Sequence, residues 1–208
     1  MLEVDNLHLW RGETHLLRGI GLSLGPGQAL QLTWPNGTGK TSLLRSLAGF
    51  LHAEEGLIAW KGQDVSRRRE PLYRELAYLG HETALKQDLS VSENLRLACA
   101  MRCGVRDGEI EAQLQRLGLA EGAWNRPVRS LSAGQQRRAA LARLALWDAT
   151  LWLLDEPASN LDAGGQDALS ALLREHLDAG GMVLLATHLP LQLRGADNRL
   201  WVHPAVAA

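Results

Sequence analysis

Between an apolar run, Gln28–Thr33, and a segment with Leu43, Leu44 and Leu47 on one helical face, Lys40–Phe50, the chain carries Trp34-Pro35-Asn36-Gly37-Thr38-Gly39-Lys40-Thr41. A strand, a glycine-containing loop and a helix in that order make a cradle for an anion. Glycines let backbone N–H groups converge on oxygen atoms, and the positive end of the helix dipole favours negative charge. Lys40 would reach the terminal phosphates of a nucleotide, the Thr41 hydroxyl would join a Mg²⁺ shell, and Ser42 would be a further nucleotide contact. Only three lysines (Lys40, Lys61, Lys86) stand against nineteen arginines, so a lysine in this loop is a specific choice.

The loop departs from the phosphate-cradle pattern at its first position, where glycine is the rule and this chain has Trp34. A bulky residue at positive φ costs about 1–2 kcal/mol. Pro35 follows, however, and biases Trp34 toward extended backbone that any L-residue adopts. The indole is expected to crowd the β-phosphate and weaken nucleotide binding.

Phosphate binding becomes chemistry only with acidic groups opposite. Leu151-Trp152-Leu153-Leu154-Asp155-Glu156, 115 positions after Lys40, reads as a buried strand ending in two carboxylates. Asp155 would hold Mg²⁺ through water, and Glu156 would be the general base for an attacking water. Further strands are predicted at Glu3–Leu9, Gly21–Leu24, Leu57–Trp60, Thr150–Leu154 and Met182–Thr187. Helical patterns fill the middle, at Pro71–Glu75, Ser92–Arg102, Asp107–Leu117 and Gly134–Leu146, and Gly165–Asp178 is closed by Gly180-Gly181. Ser90 and Glu93 supply capping chemistry. Near-continuous apolar strands alternating with helices predict a parallel sheet buried on both faces. The expected organisation is a single α/β domain over 1–208, with a core from 1–80 and 147–208 and a helical insertion at 81–146. With 208 residues and 46% hydrophobic composition the chain can bury such a core.

Leu131-Ser132-Ala133-Gly134-Gln135-Gln136 resembles the signature motif of ATP-binding cassette ATPases. Its Ser132 and the N–H groups at a helix start would bind the γ-phosphate of a second nucleotide. The family's other marks follow. Asn160-Leu161-Asp162 resembles the D-loop that touches a partner subunit. Thr187-His188 matches the switch histidine that contacts γ-phosphate. Glu82, after Tyr78-Leu79-Gly80-His81, stands where the family has a Mg²⁺-ligating glutamine. A carboxylate there adds repulsion of about 3 kcal/mol per phosphate charge at about 5 Å and an effective dielectric of about 20, which predicts slowed hydrolysis. The adenine-stacking aromatic of the family falls at Trp10 unless Arg11 displaces it.

The resemblance implies a P-loop NTPase core with a mostly parallel sheet flanked by helices, an N-terminal antiparallel β subdomain and a helical insertion subdomain. It implies ATP and Mg²⁺ as ligands, hydrolysis as the reaction, and a homodimer in which Leu131, Ser132, Ala133, Gly134 and Gln135 act on the partner's ATP. It also implies integral membrane transporter subunits as partners. Within the family, the flanking similarity from about Leu2 to Val202 is to ATPase subunits of the haem exporters of cytochrome c biogenesis. That places the chain at the cytoplasmic face of the bacterial inner membrane, with indirect contact to haem-chaperone machinery whose haem-loaded chaperone is released by the ATP cycle.

Two other readings stay open on the residues alone. One is a nucleotide-gated interaction module with hydrolysis impaired by Trp34 and Glu82; the other is a soluble, non-transport cassette ATPase. Net charge of −1 argues against nucleic acid, and Arg67-Arg68-Arg69 reads as a solvated turn. No apolar stretch approaches the roughly 18–20 residues that span a bilayer. Met1–Asn6 lacks the pattern of a signal peptide, which predicts a cytoplasmic chain. Cys99 and Cys103 are expected as buried or half-buried thiols, and His176 and His203 as surface groups. Trp60, Trp147 and Trp152 are expected in the core, and Trp124 at a partner contact. Of Arg137 and Arg138, one is expected to face nucleotide or partner and the other solvent.

Overall fold

The computed structural model describes residues 1–102, 104, 108–188, 191 and 193, and the backbone of Asp197–Trp201. Cys103, Asp107, Val202 and His203 lie outside the described residues. The chain divides into two compact units.

The first unit comprises Met1–Tyr78, Ala149–Asp155 and the described residues from Arg174 onward. It holds two sheets. The antiparallel one orders its strands β2-β1-β4-β5, from β1 (Leu2–Arg11), β2 (Thr14–Leu24), β4 (Glu55–Trp60) and β5 (Gln63–Asp64). The other has the order β6-β7-β8-β3-β9, from β3 (Gln28–Leu32), β6 (Leu76–Leu79), β7 (Leu151–Asp155), β8 (Met182–Ala186) and β9 (Asp197–Trp201). The pairs β7–β8, β8–β3 and β3–β9 run parallel. Every residue of β7 and β8 is buried, the reason those strands read as unbroken apolar runs. Helix α1 (Lys40–Leu47) follows β3 and buries Leu43, Leu44 and Leu47 into one core cluster with Leu32, Leu153 and Leu184.

Four strands go beyond those expected from sequence, among them β5, which pairs with β4 where Lys61-Gly62-Gln63-Asp64 reads as a turn. β2 begins at Thr14 rather than Gly21, and β6 forms where no strand is expected. β9 also forms without a strand signature, because Asp197-Asn198-Arg199 is polar. The short helix α2 (Glu70–Glu75) lies before β6. His176, expected at the surface, is half-buried and stacks flat on Trp152, with ring centroids 3.8 Å apart and planes within 6°. It fits there because residue 181 is glycine: a Cβ at Gly181 would lie 2.3 Å from the His176 ring.

The second unit comprises Leu79–Asp148 and Glu156–Leu173. Its helices are α3 (Val91–Ala100), α4 (Glu109–Arg116), α5 (Ala133–Leu146) and most of α6 (Ala163–Asp178). Ser90 and Glu93 form a reciprocal capping box that starts α3, as their spacing predicts. Asn94 then fixes the preceding loop, accepting from Lys86 N–H and donating to the carbonyls of Lys86, Leu89 and Ser90. Cys99 is buried in α3. Helix α5 buries Ala139, Ala140, Leu141, Ala142 and Leu144 on more than one side, so it lacks an apolar stripe. Trp124 turns inward enough to donate to the Leu119 carbonyl at 2.8 Å, and Trp147 is half-buried beneath the guanidinium groups of Arg102 and Arg143.

Candidate active site

In the first unit, strand register brings the expected groups to one edge. Asp155 pairs with Ala186, and Ala186 pairs with Leu32, so three strand ends form a single row. With neighbouring strands about 4.8 Å apart, the row spans about 10 Å. The 34–39 loop leaves β3 two residues past Leu32, and His188 follows β8 two residues past Ala186. Thr187 N–H bonds the Leu32 carbonyl at 3.2 Å and seals this corner. His188 is exposed there. Ligands in open α/β sheets bind at such carboxyl ends of strands.

The loop is held by its own residues. Thr38 Oγ1 donates to the Pro35 carbonyl at 2.7 Å. Lys40 is buried, and its ammonium donates to the carbonyls of Trp34 and Pro35, the latter at 3.3 Å. Gly39 caps α1 at φ 102°, and a Cβ there would meet Leu17 Cδ2 at 2.6 Å. Only glycine fits this position. Thr41 and Ser42 occupy the first turn of α1, while Asn36 and Gly37 are exposed at the loop tip.

The structure corrects the expectation for Trp34. Its backbone is not at positive φ, as Pro35 predicts, and its indole is 2% exposed within the core cluster that holds Leu32, Leu43 and Leu44. The ring therefore does not crowd the anion side of the loop, and Trp34 contributes its carbonyl to Lys40.

Asp155 is 3% exposed at the end of β7. Burial pushes the Tyr78 hydroxyl above its ordinary value; Arg45 pulls it down, and the charge of Asp155 pushes it up. The Thr41 hydroxyl and the Asp155 carboxylate are hard oxygen donors, the chemistry that suits Mg²⁺. Trp10, half-buried on β1, stacks on His15 at 3.9 Å with planes within 8°. Arg11 beside it is exposed.

In the second unit, a cavity of about 350 Å³ is lined by Glu82, Ala133, Arg137 and Asn160, with His81 and Thr83 among its other walls. Glu156 follows Asp155 directly in the chain and adopts φ 48°, in the left-handed region. Asn160 does the same at φ 62°. Ser132 and Gln135 form a second reciprocal capping box: the Ser132 hydroxyl accepts from Gln135 N–H, and the Gln135 side chain accepts from Ser132 N–H. The Ser132 hydroxyl hydrogen stays available as a donor. Leu131 is buried beneath the turn. Gly134 is constrained by close approach, since a Cβ there would lie 2.7 Å from the Asn160 carbonyl oxygen. The signature turn and the Asn160-Leu161-Asp162 loop thus touch within one chain. Asp162 accepts from Gly165 N–H at 2.8 Å and from Arg138, and these hydrogen bonds hold its carboxyl below the usual carboxylate range.

Both arginines after the signature differ from expectation. Arg137 is buried and donates to backbone carbonyls, and Arg138 pairs with Asp162 and the Leu117 carbonyl. Sequence reasoning misses this because two adjacent helical residues point about 100° apart, which says nothing of what either meets.

The chain matches the ABC transporter family model over residues 17–159. It belongs to the ABC transporter family. Its reaction as an ABC ATPase is nucleotide binding and ATP hydrolysis. Among curated relatives of this ABC ATPase is the cytochrome c biogenesis ATP-binding export protein CcmA of Vibrio parahaemolyticus, 45% identical over 90% of this chain and 92% of that protein. The protein of the same name from Methylococcus capsulatus is 44% identical, over 92% of each chain. CcmA 2 of Cupriavidus metallidurans is 45% identical over 94% of this chain and 93% of that one. Among solved structures, a putative ABC transporter ATP-binding protein from Pyrococcus furiosus superposes with a TM-score of 0.81 at 24% identity, covering 96% of both chains. A dimeric bacterial ABC transporter cassette gives 0.80 at 23% identity, over 91% of this chain and 88% of that one. These likenesses show the α/β cassette fold. No helix among the described residues is long and apolar enough to cross a membrane.

Proposed function

We propose that this ABC ATPase powers a haem-export complex of c-type cytochrome maturation, driving release of a haem-loaded chaperone. The observation that carries the reading is identity of 44–45% to proteins named for cytochrome c biogenesis export, over at least 90% of both chains. In this reading the 34–42 segment holds the ATP phosphates, Lys40 neutralises the β- and γ-phosphates, and Trp10 backed by His15 offers a flat ring to adenine. Thr41, Asp155 and Glu82 would hold Mg²⁺, which screens phosphate charge when bound. Glu156 takes a proton from the attacking water, and His188 contacts the γ-phosphate.

Ser132 and Gly134 act on ATP held by a second copy of the chain, and Asn160, Leu161 and Asp162 touch that copy. The organisation into an ATP-binding core over 1–80 and 147–208 and a helical subdomain over 81–146 belongs to the same reading. Phe50, Leu51 and Tyr73 leave apolar side chains exposed, which suits a chain covered by membrane subunits at the cytoplasmic face of the inner membrane. The placement of the Trp34 indole removes one of the two supports for an interaction module with impaired hydrolysis.

Turnover of ATP by Glu156→Gln tests the site: a fall by orders of magnitude is expected, and unchanged turnover would remove Glu156 as base. Affinity capture of the tagged full chain from bacterial membranes tests the assembly. Recovery of haem-handling membrane proteins is expected; recovery of only unrelated transporter subunits would reject the haem role.

A further inference from the structure

Arg137 is 1% exposed, so a full positive charge sits inside the second unit. Such burial costs several kcal/mol unless the charge is hydrogen-bonded. Here backbone carbonyls from two separate segments satisfy it. Nη1 donates to Gly80 at 2.8 Å and reaches His81 at 3.4 Å; Nε donates to Pro157 at 3.2 Å, and Nη2 to Glu156. A planar fork directs its donors at both segments along fixed lines, whereas an ammonium is a single point with rotatable donors and fixes neither direction.

The conformation of Glu156 gives this contact its meaning. A non-glycine residue in the left-handed region costs about 1–2 kcal/mol and persists only where its surroundings over-determine it. The Glu156 carbonyl receives both Arg137 Nη2 and the Ser159 N–H, the latter at 3.0 Å.

We propose that Arg137 is a positioning residue for hydrolysis, its guanidinium clamping the strained Glu156 main chain and anchoring it to the Gly80–His81 segment that precedes Glu82. The proposal rests on Glu156 being the general base. Displacement of a catalytic group by about 1 Å can cost about 100-fold in rate, so a backbone clamp acts on kcat rather than on ATP binding.

The experiment measures ATP turnover of the full chain with Arg137→Met and Arg137→Lys, each in the native and Glu156→Gln backgrounds. Arg137→Met is expected to lower kcat by at least about 10-fold with KM for ATP within about 2-fold, and to add less than about 2-fold once Glu156 is gone, because coupled residues are non-additive. Arg137→Lys, which keeps the charge and one segment's contacts, should fall between. Amide exchange at Ser159 should speed up about 10-fold in Arg137→Met while global protection holds. Equal losses in both backgrounds, a loss confined to KM, or unchanged Ser159 exchange would overturn the clamp. Unchanged turnover in Glu156→Gln alone would instead sink the base assignment. Should Arg137→Met fail to fold, Arg137→Lys carries the same comparison, and the same results support or overturn the clamp.

Discussion

Trp34 invites a substitution with opposite outcomes under two views of the loop. Restoring the family's glycine, Trp34→Gly, would relieve a crowded phosphate site if the indole stood on the anion side. The indole instead fills the core beneath the loop, with 2% of its surface exposed. Removing a buried aromatic to alanine costs about 3–5 kcal/mol through lost transfer energy and the cavity left behind. Glycine adds backbone freedom in the unfolded chain, so about 3.5–6 kcal/mol is expected. For a chain of this size each kcal/mol shifts the melting point by about 2–4 °C, giving a drop of about 7–24 °C. Thermal unfolding by circular dichroism reads the drop, and ATP turnover well below the new melting point reads the site. Trp34→Phe, which keeps most of the volume, should retain most of both. A Trp34→Gly chain melting within about 2 °C of the parent and hydrolysing faster would refute this placement of the indole.

Three further outcomes follow from close approaches and one buried ring. Gly134→Ala places a methyl group 2.7 Å from the Asn160 carbonyl; ATP turnover should fall at least about 10-fold, with about 1–3 kcal/mol lost in urea unfolding. Gly39→Ala combines φ 102° with a 2.6 Å clash against Leu17, so nucleotide affinity measured by a fluorescent ATP analogue should drop several-fold or more, on the order of 1–2 kcal/mol. Burial lowers the pKa of the His176 ring in the folded chain, whereas the unfolded ring takes a proton near pH 6.5. The unfolded state then binds the extra proton, so stability falls as pH drops through about 6.5 and levels off below the depressed folded value. His176→Phe should flatten that limb in melting curves taken from pH 7.5 to 5; an unchanged slope would show the ring is not its source.

What can be read in advance divides by the range of the interactions involved. The 34–41 loop, the Asp155 carboxylate at the end of β7 and the Ser90 and Glu93 cap are set by adjacent residues, and their chemistry is visible in order. β6 escapes a sequence reading because Leu76-Ala77-Tyr78-Leu79 follows a helical pattern and owes its extended form to pairing in the sheet. β2 reads as too short because Gly19 and Gly21 interrupt its alternation, although Gly19 sits at a positive φ where the register with β1 shifts. Arg137 is unreadable for a similar reason. Its partners are carbonyls at residues 80, 81, 156 and 157, and carbonyls leave no mark in a sequence.

The reciprocal pairing of Ser132 and Gln135 has a kinetic meaning for assembly. A docking element that is ordered beforehand meets its counterpart as a rigid body, without an ordering step between encounter and complex. In the dimer proposed above, association of two copies on ATP should then be second order in chain concentration at every concentration tested, with no plateau from slow rearrangement. Gln135→Ala removes the bond from Ser132 N–H but keeps the one from the residue 135 N–H to the Ser132 hydroxyl, so a plateau appearing in that variant would mark ordering of this turn as the rate-setting step.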